Sequence, residues 1–157
     1  MVDERTRIGD WEADTVIGKG NKGVLVTLAD RFSKETLIAL VPRKHADVVR
    51  DAIVQLLLPE KVHTITFDNG KEFAIHAGIK KALGSDNYFA HPYHSWERGL
   101  NENHNGLIRQ YLPKGMALDK VEVKKVAAIQ EKLNNRPRKM LGYKTPNEVY
   151  EAMRLAT

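Results

Sequence analysis

Three short β-rich runs stand ahead of the first helix-forming segment, and this order constrains the fold more than any other feature of the chain. From Ile8 to Ile17 the side chains alternate, with Asp10, Glu12, Asp14 and Val16 on one face of an extended strand and Trp11, Ala13, Thr15 and Ile17 on the other. The first strand therefore carries a row of acids. After the turn-rich break Gly18-Lys19-Gly20-Asn21-Lys22-Gly23, the runs Val24 to Leu28 and Glu35 to Val41 are joined at Asp30-Arg31-Phe32-Ser33-Lys34, which predicts an antiparallel meander.

Beyond Val41, helices and strands alternate. Asp47 is placed to cap a helix whose apolar residues Val48, Val49, Ala52, Ile53, Leu56 and Leu57 recur at helical spacing until Pro59. Val62 to Phe67 reads as a buried strand, Asp68-Asn69-Gly70 as its sharp exit, and Lys71 to Leu83 as a second helix closed by Gly84. Tyr88-Phe89-Ala90 supplies a short fifth strand. Ser95 can cap a helix through Tyr111, Asp119 and Glu122 stand at capping-box spacing before a helix to Asn134, and Thr145-Pro146-Asn147-Glu148 opens the last. Parallel strands need helical crossovers, so the expectation is a mixed α/β sheet with helices on both faces.

A chain of 157 residues can bury roughly two thirds of its unfolded surface and needs no staples. The absence of cysteine excludes disulfides, thiol nucleophiles, iron–sulfur clusters and cysteine-based zinc fingers, so a metal would have to sit on carboxylates, amides or imidazoles. Apolar runs fall far short of the ~20 residues that span a bilayer, and Met1-Val2-Asp3-Glu4-Arg5 has no signal-peptide character. The expectation is a cytoplasmic protein without a membrane partner. Residues 1–90 hold 13 basic and 13 acidic side chains against 12 and 7 in residues 91–157, which places the net charge of +5 in the C-terminal part. A polyanionic partner accounts for that asymmetry, although a solubilising surface does so equally well.

Three carboxylates carry the chemistry: Asp14 on the first strand, Asp68 at the end of the fourth and Glu102 in the helix after the fifth. Phosphodiester chemistry with Mg²⁺ needs hard oxygen ligands that converge from separate rigid elements. Gly70 would allow a tight exit that leaves Asp68 at the sheet edge, although Asp-Asn-Gly by itself is more often only a turn. The helix from Ser95 divides into a core face of Leu100, His104, Leu107, Ile108 and Tyr111 and a stripe of Arg98, Glu102, Asn105 and Arg109. An acid, an amide and a cation on one stripe suit metal binding beside nucleic-acid contact, and a merely solvated face with a weak Arg98–Glu102 pair is the alternative. Gly106 costs such a helix about 1 kcal/mol, which a close approach by DNA or a neighbouring strand would explain.

Among the remaining candidates, Glu12 is a supporting or alternative acid, whereas Asp10 and Asp30 read as turn or surface residues. Glu72 suits the first turn of its helix, His91 and His94 do not read as zinc ligands, Trp11 belongs in the core, and Tyr143 reads as a packing anchor for the last helix.

The segments Trp11-Glu12-Ala13-Asp14, Phe67-Asp68-Asn69-Gly70-Lys71-Glu72-Phe73, Asn101-Glu102-Asn103-His104-Asn105-Gly106-Leu107-Ile108-Arg109-Gln110-Tyr111 and Leu133-Asn134-Asn135-Arg136-Pro137-Arg138-Lys139, followed by Leu141-Gly142-Tyr143 and Thr145-Pro146, together resemble the catalytic core of DDE-type bacterial insertion-sequence transposases. The likeness is to the insertion-sequence family numbered thirty, relatives of retroviral integrases, and covers nearly the whole chain. The 33 residues between Asp68 and Glu102 match that family's interval. The resemblance implies an RNase H-like fold: a five-stranded mixed sheet, three antiparallel strands then two parallel, flanked by helices. It implies one catalytic core over 1–157, with C-terminal helices over 119–157 packed on it.

It further implies that Asp14, Asp68 and Glu102 are the catalytic residues and hold two Mg²⁺ or Mn²⁺ ions. DNA 3′-end cleavage at element ends and strand transfer into target DNA would follow, by a homodimer or higher multimer on DNA in the bacterial nucleoid. Asn105 and Arg109 would position DNA, while Arg136, Arg138 and Lys139 hold phosphates. The family's N-terminal helix-turn-helix reader is expected to be absent, so DNA binding should be weak, salt-sensitive and non-specific. Two other classes stay open: an RNase H-like nuclease that hydrolyses without joining, and a non-catalytic nucleic-acid-binding module.

Overall fold

The computed structural model describes residues 7–67, 73–89 and 99–156, with the side chains of 73–77, 87–89 and 99–103 outside that description. The predicted meander forms as β1 (Asp10–Ile17), β2 (Val24–Asp30) and β3 (Thr36–Val41). It is followed by α1 (Ala46–Leu57), β4 (Thr64–Phe67), α2 (Phe73–Leu83), β5 (Asp86–Phe89), α3 (Gly99–Ile108), α4 (Val123–Asn134) and α5 (Pro146–Ala156). The sheet order is β3-β2-β1-β4-β5, antiparallel across β1, β2 and β3 and parallel from β1 through β4 to β5. A mixed sheet results because the helical crossovers α1 and α2 return the chain in the same direction.

Strand alternation divides the core in two. Trp11, Ala13, Val24, Val26, Leu28, Leu37 and Val41 face α1, α2 and α5, meeting Val49, Ile53, Leu57, Ile79 and Tyr150. Val16, Leu25 and Ile38 face the opposite way onto Ile108 at the end of α3 and Val126, Ile129 and Leu133 of α4. Each fully buried aliphatic side chain contributes about 1.5–3 kcal/mol. Trp11 is core as expected, its Nε1 donating to the Lys61 carbonyl at 2.9 Å and its ring meeting Tyr150 with centroids 5.9 Å apart.

Edge strand β3 is protected by side chains of α4. Asn134 Oδ1 accepts from Thr36 N–H at 2.7 Å while its Nδ2 donates to Thr36 O at 2.8 Å, and Gln130 Oε1 accepts from Ile38 N–H at 2.8 Å. These bonds occupy backbone groups that would otherwise pair with another chain. The break after β1 is a short 3₁₀ turn at Lys19–Asn21, against which the chain around Met116 and Leu118 is held by Lys19 N–H donating to Met116 O at 3.0 Å and Leu118 N–H to Lys22 O at 2.7 Å. Gly23, at φ +83°, is required there: a Cβ would stand 2.6 Å from Asp119 N and 2.7 Å from the Leu118 carbonyl carbon.

Several local expectations need correction. Asp47 lies in the first turn of α1, and His45 is the N-cap, without a side-chain bond. The Asp119–Glu122 box does not form, because Glu122 itself is the N-cap of α4. By contrast Thr145 and Glu148 exchange two bonds, Thr145 N–H to Glu148 Oε1 at 3.0 Å and Glu148 N–H to Thr145 Oγ1 at 3.1 Å. Gly84 closes α2 at φ +68°, its N–H donating to Lys80 O at 2.8 Å. Tyr143 is no packing anchor: it is 69% exposed, at φ +66°. No helix of the described residues is long and apolar enough to cross a membrane.

Candidate active site

The acid row of β1 changes character along the strand. At its start Asp10 is fully buried, receiving Arg7 Nε and Nη2 at 2.8 and 3.0 Å and Thr64 Oγ1 at 2.8 Å. Asp30, at the end of β2 beside it, accepts from Gly9 N–H, Ser33 N–H and Ser33 Oγ at 2.8, 2.8 and 2.7 Å. Burial raises the Asp30 pKa, with these donors opposing the shift. Both residues are structural and buried, correcting the expectation of turn or surface positions. Glu12 is also buried and lies 3.7 Å from Arg31 Nε, so a partner already engages it.

Asp14 differs. It is half-buried at the C-terminal part of β1, with Thr15 N–H donating to Oδ1 at 2.8 Å and Asn105 Nδ2 donating to Oδ2 at 3.0 Å. The Asn105 bond ties α3 to β1 and is anchored by neighbours on that helix. His104 is buried with Nε2 3.0 Å from Lys34 O, and Ile108 enters the second core cluster. Asn105 Oδ1 is buried and has no hydrogen-bond partner among the described residues. An orphan acceptor beside a half-open carboxylate is what a site awaiting a donor ligand presents.

The other two acids are approached through the backbone. Phe67, the last residue of β4, pairs in parallel register with Ala13, one residue before Asp14. Asp68 follows in sequence and lies outside the described residues, as do Asn69, Gly70, Glu72, His91, His94, Ser95 and Arg98. Glu102 belongs to α3, three residues before Asn105, and its side chain is outside the description. Among the described residues no group of three His, Asp or Glu side chains is close enough to hold a metal.

The predicted DNA-contacting residues separate by environment. Arg109 Nη1 donates at 3.3 Å to both Leu112 O and Pro113 O, and Arg136 Nη1 donates to Gln110 Oε1 at 3.2 Å. Lys139 is exposed. Arg138, expected on phosphates with its neighbours, is buried: Nη2 donates to Leu133 O at 3.2 Å and burial lowers its pKa. Its backbone pairs with Lys144, closing the loop that carries Lys139, with Arg136 just before it. Gly106 is exposed and a Cβ there would meet nothing within 4 Å, so no neighbouring strand accounts for it.

Sequence reasoning missed the Asn105–Asp14 bond, although the stripe containing Asn105 was legible. It also missed the buried acid Glu35, whose carboxyl is pushed up to about 8 by burial and by Glu60, Asp30 and Glu151.

No family model matches the chain. The transposase for insertion sequence element IS4351 of Bacteroides fragilis is 50% identical over 153 residues, covering 96% of this chain and 47% of that protein. Transposase InsI for insertion sequence element IS30A of Escherichia coli (strain K12) is 40% identical over 153 residues, covering 96% of this chain and 40% of its own length. The chain thus spans less than half the length of these curated relatives. Its fold matches the catalytic core domain of BIV integrase with a TM-score of 0.73 at 23% identity, over 94% of this chain and 96% of that one. A chain of the simian T-cell lymphotropic virus intasome, in complex with PP2A regulatory subunit B56 gamma, matches with a TM-score of 0.75 at 18% identity, over 92% of this chain and 54% of that one. The class defined is an α/β domain with the integrase catalytic-core fold, similar in sequence to bacterial insertion-sequence transposases.

Proposed function

We propose that this chain is the catalytic core of a DDE-type transposase with an RNase H-like fold, in which Asp14, Asp68 and Glu102 form the reacting centre for DNA cleavage and strand transfer. The observation that carries this reading is the Asn105–Asp14 bond, because it brings the helix containing Glu102 to the strand containing Asp14. The parallel pairing of Phe67 with Ala13 brings the chain leading to Asp68 alongside. Sequence similarity to transposases over 96% of the chain supports the same conclusion.

The donor chemistry fits a hard divalent cation. Asp14 offers carboxylate oxygens in a half-exposed position, and the buried orphan Oδ1 of Asn105 is an acceptor suited to a metal-bound water. Asp14, Asp68 and Glu102 would hold Mg²⁺ or Mn²⁺, two ions in the active complex, which supplies activation of the attacking oxygen and stabilisation of the leaving one. The chain's own work is orientation. Asn105 fixes the Asp14 carboxylate, Arg109 brings positive charge seven residues after Glu102, and Arg136 and Lys139 meet backbone phosphates from just before and within the loop that Arg138 holds closed. Element ends and target DNA are the substrates, and a multimer on paired ends is the working form.

The test is a joining assay with Mn²⁺, a DNA strand bearing a free 3′-hydroxyl and a labelled target duplex. Joined products that disappear in Asp68→Asn and Glu102→Gln are expected. Hydrolysis without joining would move the assignment to a nuclease, and DNA binding without either reaction would leave a non-catalytic module.

A further inference from the structure

At the end of β1 away from Asp14, a cavity of about 360 Å³ lies among the start of β3, the connection after α1, the end of α4 and the face of α5. Four carboxylates line it, Glu35, Glu60, Glu131 and Glu151, together with Tyr150 and Asn147. A cluster of acids on a basic chain would be unremarkable if each were solvated or paired. Glu35 is neither. It is 6% exposed, and no hydrogen-bond donor or cation among the described residues meets its carboxylate. Its neighbour Asp30, fully buried, has three donors. Burying an uncompensated carboxylate is costly, and nearby Glu60, Asp30 and Glu151 add to the cost.

We propose that this cavity is a binding site for an organic cation of the guanidinium or alkylammonium class, with the Glu35 carboxylate as its buried anchor. A simple metal ion does not suit it, because the acids are spread around the wall rather than converging on a point. A ligand with several separated donors does suit it, and a planar fork or an extended ammonium can engage Glu35 while reaching a second acid. Glu151 is engaged at the rim by Arg154 at 2.7 Å, the Tyr150 hydroxyl bonds Glu60 and Glu131 is exposed to solvent, so Glu35 is the buried acid left for the incoming group. Two sources share this chemistry: an arginine or lysine side chain of another protein chain, and a free polyamine. The site is independent of the Asp14 centre and does not rest on the catalytic reading.

The probes are L-argininamide and spermidine, titrated into the chain above about pH 8, where the Glu35 carboxyl is ionised, at fixed ionic strength with sodium chloride as control. Side-chain amide NMR signals of Asn134, Asn135 and Asn147 report on the cavity. Saturable shifts are expected, weakened at least about tenfold by Glu35→Gln, which keeps the shape and removes the charge. Tighter argininamide assigns the pocket to a protein side chain, and tighter spermidine assigns it to a polyamine. Should Glu35→Gln fail to fold, Glu60→Gln carries the comparison with the same expected weakening. Shifts that never saturate, that sodium chloride reproduces, or that the folded variant leaves unchanged would overturn the proposal.

Discussion

The two ends of the β1 acid row carry the same residue type in opposite conditions. Asp10 and its neighbour Asp30 are buried and saturated, with every donor supplied by the chain itself. Asp14, on the same strand face as Asp10, is only half-buried, and its donors include the Thr15 backbone N–H and the Asn105 amide. A carboxylate whose lone pairs are all taken by the fold stabilises it but has nothing left to offer a ligand. One that stays half-exposed remains within reach of a ligand. The difference between the acids that build the fold and the acid proposed for the reaction therefore lies in their exposure, not in their spacing along the strand.

The sharpest break of this comparison is Asp14→Asn. The neutral amide keeps the size of the side chain, so thermal unfolding should move by less than about 0.5 kcal/mol. Strand joining should fall about a thousandfold or more, reflecting several kcal/mol of lost transition-state stabilisation. Parallel measurement of Tm and of joined product separates the two effects, and a large stability loss with retained joining would reverse the roles assigned to the two ends.

The reciprocal experiment is Asp30→Ala. Three hydrogen bonds disappear and Gly9 N–H and the Ser33 donors are left in a buried setting, at a cost of about 3 kcal/mol by chemical denaturation. Joining per folded molecule should remain. If stability were unaffected, the saturated end of the row would not be structural.

Glu35 tests what a buried acid does when the fold supplies no donor. Its folded-state pKa of about 8 exceeds the ordinary 4.5, so the folded chain retains a proton that the unfolded chain releases. The stabilisation is complete below pH 4.5 and is lost as pH rises through about 8. Glu35→Gln should match the parent near pH 4.5 and exceed it at pH 8 by about 2 kcal/mol, after discounting for water in the open cavity. Paired denaturation curves at the two pH values check this, and a pH-independent difference would show that folding leaves the Glu35 pKa at its ordinary value.

Much of this was legible in the alternation of β1 and in the order of strands and helices, because period and turn chemistry are local properties. The reciprocal Thr145–Glu148 cap was legible for the same reason. The fates of Asp10, Asp30 and Arg138 were not. Whether a charged side chain is buried depends on donors that arrive from distant parts of the chain: Thr64 for Asp10, Gly9 for Asp30. For Arg138 it depends on how the loop after α4 folds back onto Leu133. Tyr143 misled because an aromatic beside Thr-Pro suggests packing, whereas the left-handed turn turns it outward. Of the candidate site, the Asp14 position and the α3 stripe could be read from spacing, but their mutual contact is a long-range property that spacing does not encode.

That contact gives the smallest and most diagnostic effect. The fold uses Asn105 Nδ2 to orient Asp14, whereas the stripe pattern alone suggested contact with DNA. Asn105→Ala removes one half-buried bond and an orphan acceptor together, so stability should change by less than about 1 kcal/mol. If Asn105 orients Asp14, Mn²⁺ affinity and joining should each fall about tenfold while DNA affinity and its salt dependence stay unchanged. If it contacts a phosphate or base instead, DNA affinity should fall and Mn²⁺ affinity hold, a split that metal titration and salt-dependent DNA binding on the same variant would resolve.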